Sequence, residues 1–315
     1  MIRTTAPQIE LRHLHRVFDD THAVNDVSFE VAAGEVFGYI GPNGAGKTTS
    51  MRILATLDEP TAGDAFVDGF SVVNDPDRVR RRIGFMPDYF GTYQYVDVRE
   101  YLDFFARAYG LRGTERQRAI SYVMDFTQLD RWARKPIDGL SKGMKQRLCL
   151  GRTMIHDPSV LVLDEPAAGL DPRARIELRE MIGRLADDGK AVLISSHILT
   201  ELAEICHRVG ILDEGRLLAI GSVDEISTHA QDCGQVRVRV LQERERLVRW
   251  LENRSDVTDV RGTSELVTLN HFGDRASEAT LLREIVEAGF DVVEYGTRHK
   301  SLEDVFLHVT EGRGE

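Results

Sequence analysis

The chain has 315 residues, 42% of them hydrophobic and 29% charged, with a formal net charge of −11. That composition excludes a disordered chain, and the length predicts one large domain with a smaller companion. The acidic total argues against a protein that grips nucleic acid through its overall field.

Residues 8–40 read as short strands, with Ile9, Leu11 and Leu14 followed by Val24, Val27, Phe29 and Val31 in partial alternation. Ala33-Gly34-Glu35 reads as a hairpin turn before the apolar strand Val36–Ile40. A glycine loop follows, then a helix over Thr48–Leu57. Asp97 opens a stronger helical pattern. Val98, Leu102, Phe105 and Tyr109 fall on one face, and Asp97 with Glu100 has the form of a capping box. The helix-rich stretch runs to about His156, where Pro158 stops it. Val160–Leu163 is an unbroken apolar strand, Pro172 opens a helix ending near Gly189, and Ala191–Ile194 is again a strand. Strand and helix alternate, which predicts a mainly parallel sheet.

Gly221, Ser222, Thr228, Gln231 and Gly234 mark a domain boundary. Beyond it come strand Val236–Leu241, helix Glu243–Asn253, strands Val257–Arg261 and Leu266–Leu269, helix Ala276–Ala288 and strand Phe290–Tyr295. The order βαββαβ predicts a small α+β ferredoxin-like domain over residues 235–311, with Trp250 and Phe272 in its core. The charge-rich helix Glu243–Arg249 reads as a solvated face. Cys149, Cys206 and Cys233 have no metal-ligand spacing and fit reduced thiols of a cytosolic protein. Met1–Glu10 lacks the apolar core of a signal peptide, and no run of about 18 apolar residues spans a bilayer. Direct membrane insertion is therefore not expected.

The sharpest motif is Gly41-Pro42-Asn43-Gly44-Ala45-Gly46-Lys47-Thr48, the P-loop pattern between a strand and a helix. Glycines let backbone N–H groups close around phosphate oxygens, and the following helix adds its positive end. Lys47 offers a charge to the β- and γ-phosphates, and the Thr48 hydroxyl can ligate Mg²⁺. Downstream, Val160–Leu163 ends in Asp164-Glu165. Asp164 suits a Mg²⁺ partner acting through water, and Glu165 suits a base that polarises the attacking water.

With these motifs the chain resembles the ABC ATPase family. Leu140-Ser141-Lys142-Gly143-Met144-Lys145-Gln146-Arg147 is similar to its signature, usually Leu-Ser-Gly-Gly-Gln. Gly169-Leu170-Asp171-Pro172 resembles the D-loop, His197 the switch histidine, and Phe18 the aromatic that stacks on adenine. The resemblance spans about residues 8–222. It implies an ABC-type P-loop NTPase domain over 1–225, with a mainly parallel core sheet, an N-terminal antiparallel β subdomain and a helical subdomain at about 90–157. It implies catalytic Lys47, Glu165 and His197. ATP would be held by Phe18, by Gly41 through Thr49, and by Ser141, Gly143 and Asp171. Mg²⁺ would lie at Thr48, Asp88 and Asp164.

The resemblance further implies a head-to-tail homodimer with two ATP at the interface. Ser141 also fits an ordinary helix N-cap, a compatible role. A lone aromatic such as Phe18 otherwise belongs to a core.

Lys142 and Met144 depart from the signature, and Asp88 stands where the family has its Q-loop glutamine. Met144 also fits a packing residue. Ser301–Phe306 resembles the tail of ATPases serving type-2 ABC exporters, whose permease is a separate polypeptide. The expectation is an ATP-hydrolysing export subunit, peripheral on the cytoplasmic face of the cell membrane, with no nucleic-acid partner. The alternative is a soluble ABC ATPase acting on ribosomes or another macromolecule. Its ribosomal members usually carry two cassettes, and this chain has one.

Overall fold

Alternating apolar residues build the first sheet. β1 (Ile9–Phe18) and β2 (Thr21–Val31) pair antiparallel around Asp19-Asp20. β4 (Ala62–Val67) adds to β1, and β5 (Phe70–Ser71) adds to β4, giving the antiparallel order β2-β1-β4-β5. The computed structural model describes residues 6–89, 91, 95–198, 202, 204–223, 225–226, 234–263, 266–272 and 275–298.

The turn expected at Ala33-Gly34-Glu35 is not a hairpin. Glu35 N–H does bond the Ala32 carbonyl at 3.2 Å, but the chain leaves one sheet there and enters another. β3 (Val36–Ile40) is buried along its whole length. A strand buried on both faces belongs inside a parallel sheet.

That second sheet also contains β6 (Ile83–Met86), β7 (Val160–Leu163), β8 (Ala191–Ser196), β9 (Arg208–Asp213) and β10 (Arg216–Ser222). The order is β10-β9-β3-β8-β7-β6, with every neighbouring pair parallel except β9 with β10. The two sheets share a core in which Phe29 of β2 stacks on Phe37 of β3, centroids 4.8 Å apart. Each fully buried side chain of that size contributes roughly 1.5–3 kcal/mol. Tyr39 is also buried, and its hydroxyl meets Ser50 Oγ at 3.1 Å.

The helices are α1 (Lys47–Leu54), α2 (Pro76–Arg80), α3 (Val98–Ala108), α4 (Gly113–Phe126), α5 (Lys142–Met154) and α6 (Pro172–Asp187). α3, α4 and α5 pack on one another. The capping box at α3 is present: Asp97 Oδ1 accepts from Glu100 N–H at 2.8 Å, and Glu100 Oε2 accepts from Asp97 N–H at 3.0 Å.

The chain divides into two compact units, Met1–Ser222 and Val223–Glu315. The second runs β11 (Gly234–Val240), α7 (Arg244–Glu252), β12 (Val257–Gly262), β13 (Val267–His271), α8 (Arg275–Glu287) and β14 (Val292–Arg298). Its sheet is antiparallel with order β12-β13-β11-β14. Leu247, Leu251, Leu281 and Ile285 of the two helices pack with Val236 and Val238 of β11 and with Phe290 in its core. Trp250 packs edge-on against Phe290. Phe272 departs from expectation, being 43% exposed. Val267, Leu269 and His271 of β13 face inward, so the next residue points out. Thr228, Gln231, Cys233 and Ser301–Phe306 lie outside the described residues. No helix among the described residues is long and apolar enough to cross a membrane.

Candidate functional site

The carboxyl ends of adjacent parallel strands converge, and ligands bind at such ends in open α/β sheets. β3 delivers the glycine loop, β7 delivers Asp164 and Glu165, and β8 delivers Ser195 to His197. The register Ile40↔Ser196 on one side of β8 and Leu163↔Ile194 on the other sets these groups side by side.

Gly46 caps α1 with φ +101 and no capping side chain. A Cβ there would run into the Ala23 carbonyl oxygen of β2, so only glycine fits. The first N–H groups of α1 therefore face outward without a side-chain partner, the arrangement that takes an anion. Asn43, Gly44 and Thr48 are exposed, Pro42 and Thr49 are half-buried, and Gly41, Ala45 and Lys47 are buried. The Lys47 ammonium donates to the carbonyls of Gly41 at 2.6 Å and Pro42 at 3.1 Å. Burial pulls it below the usual lysine range, while Glu165 and Asp164 act in the opposite direction. Glu165 Oε1 lies 3.9 Å from Nζ.

One continuous hydrogen-bonded chain joins the remaining groups. Thr48 Oγ1 donates to Asp164 Oδ2 at 2.8 Å, and Ser195 Oγ donates to Asp164 Oδ1 at 2.6 Å. Glu165 N–H donates back to Ser195 Oγ at 2.9 Å. Glu165 Oε2 meets His197 Nδ1 at 2.8 Å. Asp164 is 1% exposed. A hydroxyl beside a buried carboxylate is an all-oxygen donor set, which suits a hard cation. Among the described residues no group of three or more His, Cys, Asp or Glu could hold a metal. A Mg²⁺ that keeps waters and takes phosphate oxygens needs no such group.

A second cluster forms at two neighbouring helix starts. Ser141 caps α5, its Oγ accepting from Met144 N–H at 3.3 Å, and Asp171 caps α6, its Oδ1 accepting from Ala174 N–H at 2.9 Å. A Cβ on Gly143 would sit 3.2 Å from the Ala174 Cβ, so the two starts approach closely. Arg147 pairs with Glu177 and bonds Gln128 at 3.1 Å, tying α5 to α6 and to the end of α4. Among the described residues no hydrogen bond or ion pair joins Ser141 or Asp171 to the glycine-loop group.

The profile of the ABC transporter family matches residues 24–168. The Nod factor export ATP-binding protein I of Burkholderia thailandensis is 35% identical over 305 residues, covering 96% of each chain. The chain belongs to the family of ABC transporter ATP-binding proteins. The ABC transporter ATP-binding protein YxlF of Bacillus subtilis is 33% identical, covering 96% of this chain and 99% of its own. A solved ATP-binding subunit of an ABC transporter superposes with a TM-score of 0.65 at 31% identity, covering 71% of this chain and 93% of that one. A dimeric bacterial ABC transporter cassette gives 0.61 at 25% identity, covering 68% and 98%. The protein is thus an ABC ATPase.

In this ABC ATPase the structure brings together Lys47, Thr48, Asp164, Glu165 and His197, and sets Ser141, Gly143 and Asp171 apart. Phe18 is 42% exposed at the end of β1, and the Arg16 guanidinium covers its ring at 4.3 Å. The hairpin partner strand β2 carries Ala23, which packs against Gly46, so Phe18 belongs to the strand pair that flanks the glycine loop. Asp88 is exposed just past β6, whose Met86 pairs with Leu163. It lies at the same carboxyl end of the sheet as Asp164 without a hydrogen bond to that residue. Lys142 lies across the Gly169 turn, where any Cβ would meet its ammonium. Met144 is half-buried. Sequence reasoning assigned no role to Ser195. Its only signal was a hydroxyl at the end of an otherwise apolar strand, two residues before His197.

Proposed function

We propose that this ABC ATPase powers export through a separate membrane permease, as a head-to-tail homodimer with two ATP at its interface. The observation that carries this reading is the division of the site within one chain. Lys47, Thr48, Asp164, Glu165 and His197 form one group, while Ser141, Gly143 and Asp171 form another at two helix starts. A second copy would bring its helix starts to the nucleotide held by the first. Export is supported by the names of relatives similar along their whole length.

In this reading the α1 N–H groups and Lys47 bind the β- and γ-phosphates, with Asn43 and Thr49 bordering them. Phe18 stacks on the base, Arg16 backing its other face. Thr48, with Asp164 and Asp88 acting through water, would hold Mg²⁺, which would neutralise charge on the transferring phosphoryl group. Glu165 takes a proton from the attacking water, and His197 holds the Glu165 carboxylate in place while its other face is open to the γ-phosphate. Ser141 and its neighbouring N–H groups approach that phosphate from the partner copy.

We read residues 1–225 as the ATPase domain, with the helical subdomain at about 90–157. Residues 235–311 are read as a ferredoxin-like accessory domain serving dimerisation or regulation. The antiparallel βαββαβ arrangement of β11 to β14 supports the latter. The chain would work at the cytoplasmic face of the membrane, held there by the permease. A nucleic-acid partner is not part of this reading, in keeping with the formal net charge of −11.

The test is Glu165→Gln, weighed in solution with and without Mg-ATP. A shift from monomer to dimer only with ATP, together with loss of ATP cleavage, supports the reading. Undiminished cleavage by Glu165→Gln would sink it.

A further inference from the structure

We propose that Ser195 is a positioning residue of the ATPase reaction, its single buried hydroxyl setting the geometry of both Asp164 and Glu165. The inference rests on the roles given above to those two carboxylates. Ser195 is 0% exposed and sits inside the sheet, opposite Tyr39 of β3 and adjoining the end of β7. The ladder with β3 therefore holds it on one side, and on the other the ladder with β7 ends one residue before it, at Leu163 and Ile194.

The direction of its hydrogen bonds is fixed by chemistry. The Glu165 N–H can only donate, so Ser195 Oγ accepts there at 2.9 Å. The one hydroxyl proton is then left for Asp164 Oδ1, 2.6 Å away. This leaves Asp164 Oδ2 to the Thr48 hydroxyl, so each oxygen of the carboxylate has its own partner.

The second consequence concerns the Glu165 backbone. Its φ is +47, the left-handed region that non-glycine residues rarely adopt. The bond from its N–H to Ser195 holds it there. In that conformation its carboxylate meets His197 at 2.8 Å and lies 3.9 Å from Lys47. Removing the hydroxyl would leave the Glu165 N–H and Asp164 Oδ1 without a partner and release Glu165 toward ordinary backbone angles. Among the described residues no hydrogen bond joins Ser195 directly to the glycine loop or to α1, only one through Asp164 to Thr48, so ATP affinity in the absence of Mg²⁺ is set by the loop.

The experiment compares Ser195→Ala and Ser195→Thr with the parent protein. Rates are expressed per ATP-binding site, counted by equilibrium binding of ATP in EDTA. Ser195→Ala should lower kcat about 10–100-fold, the loss expected when a reacting group shifts by an ångström, with KM and the ATP Kd changed less than about threefold. Ser195→Thr, which keeps the donor and acceptor, should recover most of kcat. A merely structural role would lower the melting temperature and leave kcat per site unchanged, which would overturn the proposal. Equal losses in both variants at normal ATP stoichiometry would also overturn it, because the hydroxyl would then not be what matters. Glu165→Gln is run alongside. If it is inactive while Ser195→Ala is fully active, the proposal fails alone. If Glu165→Gln is itself fully active, the reading of the site fails.

Discussion

His156 should make the stability of the N-terminal unit depend on acid in a defined window. Its ring stacks on Tyr109, centroids 3.7 Å apart and planes 6° from parallel, and its Nε2 bonds the Ile83 carbonyl at 3.1 Å. An acceptor opposite Nε2 means that the N–H donates, as a neutral ring can. Burial pushes the group from 6.5 down to about 4, against smaller upward effects of the Ile83 carbonyl and Asp157. The folded value is thus below the unfolded one. Above pH 6.5 neither state is protonated and the group contributes nothing to pH dependence. As pH falls from 6.5 toward 4, the unfolded chain binds the proton and the folded chain does not, so stability is lost. Between pH 8 and pH 4.5 that loss is about 2 kcal/mol, allowing for the partial exposure of the ring. His156→Gln keeps a donor for the Ile83 carbonyl but cannot titrate. It should be less stable than the parent at pH 8, by roughly 1 kcal/mol for the lost stacking. The gap should close or reverse at pH 4.5. The assay is urea unfolding across that range, followed by Trp132 fluorescence in a Trp250→Phe background so that only the N-terminal unit reports. A gap that stays constant with pH would refute the reasoning.

Ser141→Ala removes the α5 cap and should cost about 1 kcal/mol of stability. In a Glu165→Gln background it should also abolish the ATP-dependent dimer. Ser141→Asp should restore the cap but not the dimer, since a carboxylate repels phosphate; recovery of the dimer by Asp would refute the phosphate contact. Asp88→Ala should lower Mg²⁺-dependent ATP hydrolysis, and kinetics unchanged across a Mg²⁺ titration would show that Asp88 has no part in it.

The elements were legible wherever local signals were strong. The Asp97 capping box, the Pro172 helix start and the apolar run Val160–Leu163 are short-range features, and each appears within a residue or two of its expected place. The Ala33-Gly34-Glu35 turn was misread because turn chemistry says how a chain bends, not which sheet receives the next strand. That choice followed from β3 being buried on both faces. Phe272 was misplaced for a related reason: its aromatic character suggested a core, but the phase of β13 turns it outward.

For the site, the residue types and their order along the chain named the phosphate loop, the acidic strand end and the helix-capping serine, because the chemistry of phosphate binding demands those types in those local settings. Their grouping was a tertiary matter. Only the parallel register of β3, β8 and β7 joins Thr48 to Asp164 and Glu165 to His197 across long stretches of chain. That register also turned Ser195, unremarked in the sequence, into the hydroxyl between them. The hydrogen bonds that join these groups depend on strand pairing, and strand pairing between distant segments is written in no single stretch of residues.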